Sequence, residues 1–292
     1  MIAAFAVLTT GCAAVLAETR PTDGIRDNSF LVEEAFNQEK GVVQHIFTTR
    51  YGIDERGVDR TKSWELAFTQ EWPVFSQDHQ FSYTIPYSFV DPPGEHDSDI
   101  GDLSLNYRYQ LCYEEGWMPA ISPRVSMILP TGDEDRGFGT GVVGYQFNLP
   151  ISKTLSDRLY VNANVGVTVY PDADLRLSNG RHSGEFDLVT VNLGLSAFYA
   201  VTEDVNFLLE AVWESGQGLE ERPSVGGQRM FARRTNTEEI VLAPGIRWAH
   251  NLQGGLQIVP GIAFPIGLSE DAMDYGVILY LSIEHAFMET EE

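Results

Sequence analysis

The sequence predicts an all-β protein, a transmembrane antiparallel up-and-down β-barrel of about twelve strands. Large apolar side chains alternate with small or polar ones in a series of stretches that begins at Gly41 and ends at Phe287. In the stretch 103–111, one face carries only Leu and Tyr, and the other carries Ser, Asn, Arg and Gln. Successive side chains in a strand point to opposite faces, so each stretch forms a strand with one apolar and one polar wall.

Strand length separates a membrane barrel from a soluble sandwich. A tilted strand needs about nine to eleven residues to cross the hydrocarbon layer, whereas strands of soluble domains usually have about five or six. Most of the stretches are long enough, and their polar walls are rich in Asn, Gln, Ser, Thr and Gly, which is typical of a crowded polar interior. Trp64 and Trp72 share one apolar wall at a separation that suits the two aromatic girdles of a barrel.

The predicted strands follow one another with the same alternation. The register of the first is not determined, the second and third have mainly aromatic outward faces, and the others present mostly Leu, Val and Ile outward. Short turns alternate with longer acidic connections, the longest at 215–237, as expected for periplasmic turns and external loops. The predicted strands are 41–51, 64–72, 81–89, 103–111, 121–129, 143–149, 159–169, 189–199, 205–214, 240–248, 256–266 and 277–287.

Seven charged residues fall on the polar faces of these strands and should project into the lumen. Unpaired charges are costly away from bulk water, so we expect them to form a network. Two interpretations stay open: a salt-bridged plug that makes a narrow barrel rigid, and a lining along which a substrate moves. The predicted lumen residues are Glu65, Glu71, Arg108, Arg124, Glu210, Glu214 and Arg247.

Three prolines fall in the tenth and eleventh predicted strands: Pro244, Pro260 and Pro265. Each lacks the N–H that a strand donates to its neighbour, and a closed barrel has no free edge where that loss is harmless. One interpretation is a weak lateral seam through which a hydrophobic substrate leaves sideways into the membrane. The other is a set of bulges or strand ends that only shape the barrel.

The chain divides into a single barrel domain with short flanking segments. Residues 1–17 are almost wholly apolar or small and are predicted to be a signal peptide. No Lys or Arg precedes the apolar run, which is the pattern expected of a truncated signal peptide. Residues 18–40 are predicted to be a periplasmic segment or a lumen plug, 41–287 the barrel and 288–292 a tail. Phe287, preceded by alternating apolar residues, is typical of the last strand of a Gram-negative outer-membrane protein.

The charge balance argues against one class of partner. The 292 residues include 19 Lys and Arg against 42 Asp and Glu, a net charge of -23. Nucleic acid binding depends on Lys and Arg that neutralise phosphates, so no nucleic acid partner is predicted. The expected partners of this chain, which we expect to be a monomer, are outer-membrane lipids, lipopolysaccharide reached through divalent cations, and small hydrophobic molecules.

Other chemical motifs have simpler interpretations. The glycines of 137–144 resemble a phosphate-binding loop, but a strand pattern follows them where a helix would be needed. The carboxylates of 97–102 could suit calcium, but the helix-flanked loop pattern is absent. His45 is the histidine that could stand within a strand beside a hydroxyl-bearing neighbour, whereas His285 is predicted to face lipid. We predict no catalytic residue, no metal site, no cofactor and no enzyme.

Several segments resemble one family of outer-membrane proteins, named after the MetA pathway of phenol degradation and often called simply transporters. The run NSFLVEEAFNQE at 28–39, with 41–45, resembles the N-terminal segment of that family, and 99–103, 123–133 and 139–152 resemble other parts of it. The resemblance covers roughly 28–287. It implies an outer-membrane barrel that passes hydrophobic or aromatic compounds, similar in idea to the long-chain fatty acid transporters.

These observations lead to a predicted function. We expect a transporter or channel in the outer membrane of a Gram-negative bacterium, for passive uptake of small hydrophobic or aromatic compounds. The alternatives are a structural barrel with a closed lumen and, third, a lipid-modifying enzyme of the outer membrane. Conductance favours the first, impermeability the second and lipid turnover the third.

Overall fold

The computed structural model describes Ile25 and residues 27–55, 61–91, 97–174, 177, 184–223, 230–252 and 255–287. These residues form a closed antiparallel barrel of 12 strands and contain no helix. No helix that is long and apolar enough to cross a membrane occurs among them. The predicted signal peptide 1–17 and tail 288–292 lie outside the described residues. Of the predicted segment 18–40, the structure describes Ile25 and 27–40.

Each strand pairs with the strands before and after it in the chain, and the last pairs with the first. Two of the crossings, β4 and β5, are each broken into two pieces, and β11 is broken beside Pro265. The strands are β1 Val42–Asp54, β2 Thr61–Val74, β3 Ser76–Asp91, β4 Asp97–Ile100 and Leu103–Tyr109, β5 Ala120–Ile121 and Arg124–Leu129, β6 Gly144–Ser156, β7 Leu159–Ala173, β8 Phe186–Thr202, β9 Val205–Pro223, β10 Met230–Trp248 continued by His250–Asn251, β11 Gln257–Ala263 and Ile266–Gly267, and β12 Tyr275–Ala286.

The barrel closes through a long ladder between β1 and β12. The antiparallel pairing runs from Val42 opposite Ala286 to Ile53 opposite Tyr275 without a register shift. The ladder also settles the register of β1, which the sequence left undetermined. Gln44 and Ile46 are buried inside the barrel, whereas Phe47 is exposed on the outside. Because all strands find two neighbours, the sheet has no free edge.

Burial is inverted relative to a soluble protein. On β4, Tyr107 and Tyr109 are exposed, whereas Asn106 and Arg108 between and beside them are buried. On β8, Leu195 keeps 63% of its surface exposed while the adjacent Ser196 keeps 4%. Large apolar groups facing outwards and polar groups packed inside are the pattern of a barrel whose solvent is lipid. This arrangement confirms the predicted fold class.

One predicted loop is wrong. The connection expected at 215–237 is mostly a hairpin, because β9 continues to Pro223 and β10 begins at Met230. All 19 residues of β9 pair with β10, including Gly216 with Thr237 and Gln217 with Asn236. This extension carries few large apolar residues, and the alternation that marks a membrane strand is missing there. A hairpin that stands above the membrane in water has no lipid-facing side, so it leaves no such signal.

The segment 27–40 lies within the ring of strands. Its Phe30 ring is the centre of a buried apolar cluster inside the barrel, which includes Ile46, Phe198, Leu208, Ala263, Ile278 and Tyr280. Gly245 and Gly261 make room for this ring, because a Cβ on either would come within 2.5 or 2.6 Å of a Phe30 carbon. The interior therefore combines a polar wall with an apolar socket. The alternation pattern did not reveal this socket.

Candidate lumen site

The structure places all seven predicted lumen residues on the inward side, at two levels. Five of them contact the segment 27–40 directly or through a shared network: Glu71, Arg108, Arg124, Glu210 and Arg247. The other two, Glu65 and Glu214, line open cavities on the side of that segment that faces the long connections, which is the predicted extracellular side. The network predicted from the sequence is thus mainly one between barrel and segment, rather than one among barrel charges.

Glu210 holds the segment by its backbone. Its carboxylate accepts hydrogen bonds from the N–H groups of Phe30 at 3.1 Å, Leu31 at 3.0 Å and Val32 at 3.1 Å. The side chain is fully buried. Hydrogen bonds to a charged acceptor are roughly twice as strong as neutral ones, so this carboxylate stabilises an irregular stretch of chain that has no strand neighbour.

Arg247 binds backbone carbonyl groups at the start of the segment, as Glu210 binds its N–H groups. Its guanidinium donates to the backbone oxygens of Asp27 and Asn28, both at 2.7 Å, and of Ile25 at 3.2 Å. The side chain is fully buried, and its guanidinium carbon lies 4.6 Å from the centre of the Phe198 ring. Arg247 therefore fixes the start of the segment by hydrogen bonds and a cation–π contact.

Arg108 and Arg124 hold the other half of the segment. Arg108 donates to the backbone oxygens of Glu34 at 3.1 Å and Phe36 at 2.8 Å, and to the Asn37 side chain at 3.0 Å. Its guanidinium also lies 3.7 Å from the Glu71 carboxylate. Arg124 makes a two-pronged ion pair with Glu33, at 3.0 and 2.7 Å. Planar, paired hydrogen bonds of this kind are the geometry in which arginine binds carboxylates best.

Uncharged polar residues complete the attachment, and sequence reasoning did not single them out as site residues. Backbone N–H groups of the segment donate to four uncharged barrel side chains that project inwards. The acceptors include Asn164 for Glu33, Ser152 for Ala35, Gln110 for Asn37 and Gln80 for Gln38. Their positions on polar faces were predicted, but any Asn, Gln or Ser on such a face gives the same signal.

A cavity of about 370 Å³ lies on the extracellular side of the segment. Leu31 and Glu33 of the segment form part of its lining. The wall is mixed, and charged and amide groups lie beside apolar ones, as Glu214 does beside Val212 on β9. The polar lining includes Arg50, Arg124, Gln146, Asn148, Asn164, Asn192, Glu214 and Glu239, and the apolar lining includes Val212, Val241, Pro265, Met273 and Ile278.

Arg50 links this cavity to a second one near the mouth. The second cavity, of about 590 Å³, is lined by Arg50, Glu65, Asp102 and Phe138 among others.

In the carboxylate cluster considered for calcium, the guanidinium of Arg136 donates to Asp97 and Asp99. The hydrogen bond from Arg136 holds the pKa of the Asp97 carboxyl below its ordinary value. An arginine therefore already occupies the position where a cation would bind.

Two of the three prolines border a break in the β10–β11 pairing. Strands β10 and β11 pair at Val241 and Leu242, from Gly245 to Arg247 and at His250 and Asn251, with a break between the first two stretches. Pro244 lies at this break and Pro265 opposite it, and the N–H of Phe264 donates to the Pro244 oxygen at 2.9 Å. Pro260 lies within β11 opposite Leu281 of β12. The ladder is thus interrupted, although one hydrogen bond bridges the break.

The position of His45 follows from the register of β1. His45 lies within β1, as expected, and its side chain faces outwards, because Gln44 and Ile46 face inwards. Its ring stacks on Phe68 and on His285 of β12, with ring centres 6.2 and 5.3 Å apart. The sequence left the register of β1 open, and a shift of one residue moves every side chain to the other face.

The closed ladder, the outward apolar belt and the polar interior together decide the type of fold. The chain has an outer-membrane β-barrel fold. A solved outer-membrane channel from Pseudomonas putida F1, of the COG4313 group, is similar in structure with a TM-score of 0.63. The two sequences are 11% identical, and the match covers 92% of this chain and 99% of that chain.

Two further solved structures match with lower TM-scores. The NanC porin matches with a TM-score of 0.49 and 9% identity, over 83% of this chain and 98% of the porin. A FadL homologue from Pseudomonas aeruginosa matches with a TM-score of 0.36 and 7% identity, over 85% of this chain and 89% of that chain. No protein-family model and no curated protein matches the sequence.

Proposed function

We propose that the protein is an outer-membrane channel for passive uptake of small hydrophobic or aromatic compounds, and that residues 27–40 form its internal constriction. The cavity on the extracellular side of this segment supports the proposal. It is large enough for a small organic molecule, and Leu31 and Glu33 of the segment contribute to its lining. A compound that enters from outside therefore meets the constriction before it can reach the periplasm.

The mixed lining of the cavity favours a compact amphiphile. Val212, Val241 and Ile278 offer an apolar surface, and Arg50 and Asn192 offer hydrogen-bond donors. An aromatic ring that carries a polar substituent can contact both parts, whereas a fully hydrated ion would gain nothing from the apolar part. This is the kind of site in which a few polar groups orient a mainly hydrophobic ligand.

Electrical recordings on two matched variants test the proposal. Glu210 and Glu214 lie four residues apart on β9 and both face the lumen, but only Glu210 accepts the hydrogen bonds that the backbone of residues 30–32 donates. We expect Glu210→Ala to raise single-channel conductance in planar bilayers several-fold, because the constriction loosens. Glu214→Ala removes a charge from the same strand without loosening the segment, so its effect on conductance should be much smaller. Equal conductance of wild type and Glu210→Ala would contradict a constricting role for the segment.

A structural barrel with a closed lumen is the second candidate. The dense hydrogen bonding between the segment and Glu210, Arg247, Arg108 and Arg124 favours it. Liposome assays distinguish it from a channel. If neither the folded wild type nor the folded Glu210→Ala variant passes ions or aromatic solutes, the closed barrel is supported. Release of fatty acid from phospholipid would instead indicate an enzyme.

The location and partners belong to the same proposal. An exposed apolar belt requires a membrane, and a barrel of this kind is assembled in the outer membrane of Gram-negative bacteria. Lipids and lipopolysaccharide are then the expected neighbours, with divalent cations between acidic loops and lipopolysaccharide phosphates. We propose a monomer, because a barrel that closes on itself leaves no strand edge for a second copy.

A further inference from the structure

We propose that His45 and His285 form a binding site for a divalent transition-metal ion such as Zn²⁺ or Cu²⁺, on the outer face of the barrel. The two imidazole Nε2 atoms lie 3.2 Å apart. Two nitrogens that bind one Zn²⁺ at about 2.0–2.1 Å in tetrahedral geometry lie about 3.3 Å apart. The pair is therefore already spaced as a two-nitrogen chelate.

The strands themselves hold the two rings in position. His285 lies opposite Val43 on the β1–β12 ladder, which makes His45 its diagonal neighbour two residues along β1. The His45 ring stacks on Phe68 of β2 with an angle of 11° between the planes. A site that is built on paired strands and a packed aromatic ring needs little reorganisation to accept an ion.

The second nitrogen of His285 supports a metal-binding tautomer. Its Nδ1 lies 3.2 Å from the backbone oxygen of Ala286, so that Nδ1 can carry the proton and donate it there. The Nε2 atom then presents a lone pair. Histidines that bind metals commonly donate their other N–H to a carbonyl or carboxylate in this way.

Solvent and lipid supply the remaining ligands. Within the described part of the chain, no group of three His, Cys, Asp or Glu side chains could hold a metal ion. Both histidines are half-buried, and Ala286 beside them is exposed at the end of the last strand. Water or a lipid phosphate can therefore complete the coordination. The softness of imidazole favours Zn²⁺ and Cu²⁺ over Ca²⁺ and Mg²⁺.

The location gives the site a mechanical consequence. It connects the first and last strands of the barrel, and a bound ion adds a link across the ladder that closes the sheet. An ion that binds the folded barrel and not the unfolded chain stabilises the fold by an amount that grows with its concentration. Zn²⁺ should therefore raise the unfolding temperature of the closed barrel.

Calorimetric titration with ZnCl₂ tests the site, on protein purified without a polyhistidine tag and with excess CaCl₂ to occupy the acidic loops. We expect one Zn²⁺ per barrel and a rise in unfolding temperature. Because a chelate needs both rings, His45→Ala and His285→Ala should each weaken binding at least tenfold, and the double variant should be no worse. His250→Ala is the matched control, since this exposed histidine also lies near a strand end, and it should bind normally.

Equal Zn²⁺ binding by the wild type and either single variant would overturn the proposal, as would a loss of binding in His250→Ala. A spectroscopic measurement on the wild type covers the case in which the variants fail to fold. Electron paramagnetic resonance of bound Cu²⁺ should show two coordinated imidazole nitrogens. A spectrum with oxygen ligands alone would refute the site.

Discussion

Glu210 and Arg247 explain why buried charges persist inside this barrel. The backbone of 27–40 has no strand neighbour, so its N–H and C=O groups need other partners once they leave water. Glu210 supplies an acceptor to three N–H groups, and Arg247 supplies donors to three C=O groups. The two charged side chains thus bind the backbone of an irregular segment, rather than forming an ion pair with each other.

The truncation Arg247→Ala should be strongly destabilising. It removes three hydrogen bonds to buried carbonyl groups and the cation–π contact with Phe198. We expect the free energy of unfolding to fall by about 3–5 kcal/mol, measured by urea titration in lipid vesicles. Arg158→Ala, at an exposed turn, should change it by less than about 0.5 kcal/mol. A small effect at Arg247 would mean that the segment holds its position without this side chain.

At the scale of elements, the strands differ in how firmly they are paired. The β9–β10 hairpin pairs along its whole length, and the β1–β12 ladder is continuous. The β10–β11 pairing is broken into short stretches, and two of the three predicted prolines border one break. A broken ladder of this kind should open with a smaller loss of hydrogen bonds than a continuous one such as β1–β12.

Restoring the missing donors tests the lateral seam. In the triple variant Pro244→Ala, Pro260→Ala and Pro265→Ala, new N–H groups can join the ladder, so we expect higher thermal stability. If substrate leaves through this seam, uptake of an aromatic tracer into cells should fall by at least half. Pro86→Ala in β3 is the matched control, because Pro86 lies at a similar break in the β3–β4 ladder, where its oxygen accepts the N–H of Gly101 at 2.9 Å, away from the proposed seam. Normal uptake by a stabilised triple variant would mean that the prolines only shape the barrel.

At the scale of the whole molecule, the chain is an inverted globule. Its polar residues enclose an interior filled by its own N-terminal segment and one apolar cluster, while Leu, Val and aromatic side chains face outwards. The net charge of -23 suits loops in water at a charged surface. The proposed uptake depends on one narrow path, so its loss should be visible in cells.

A deletion strain should reveal the substrate class. We expect slower growth on at least one hydrophobic or aromatic carbon source, at concentrations where diffusion across the outer membrane limits growth, and normal growth on small sugars. Wild-type protein supplied on a plasmid should restore growth, and the loosened variant Glu210→Ala should do so too. Unchanged growth on every hydrophobic source would argue against the proposed uptake role.

Prediction from the sequence succeeded where one local property repeats. Strand number, faces and the inward positions of residues such as Arg108 and Glu210 follow from alternation, because each strand must satisfy lipid on one side. The predictions failed where that demand is absent. The β9–β10 extension at 215–237 lacks the alternation of a lipid-facing strand, and the register of His45 could not be read from a strand whose two faces are similarly polar and apolar.

The sequence by itself determined a closed, lipid-facing barrel with acidic connections, because the composition of each strand and each connection sets these properties. Only the tertiary structure decided where the segment 27–40 lies, that Phe30 occupies a socket beside Gly245 and Gly261, and that His45 meets His285. These contacts join residues far apart in the chain. Periodicity reports which face a side chain occupies, but it carries no information on which distant residue that face meets across a closed ring.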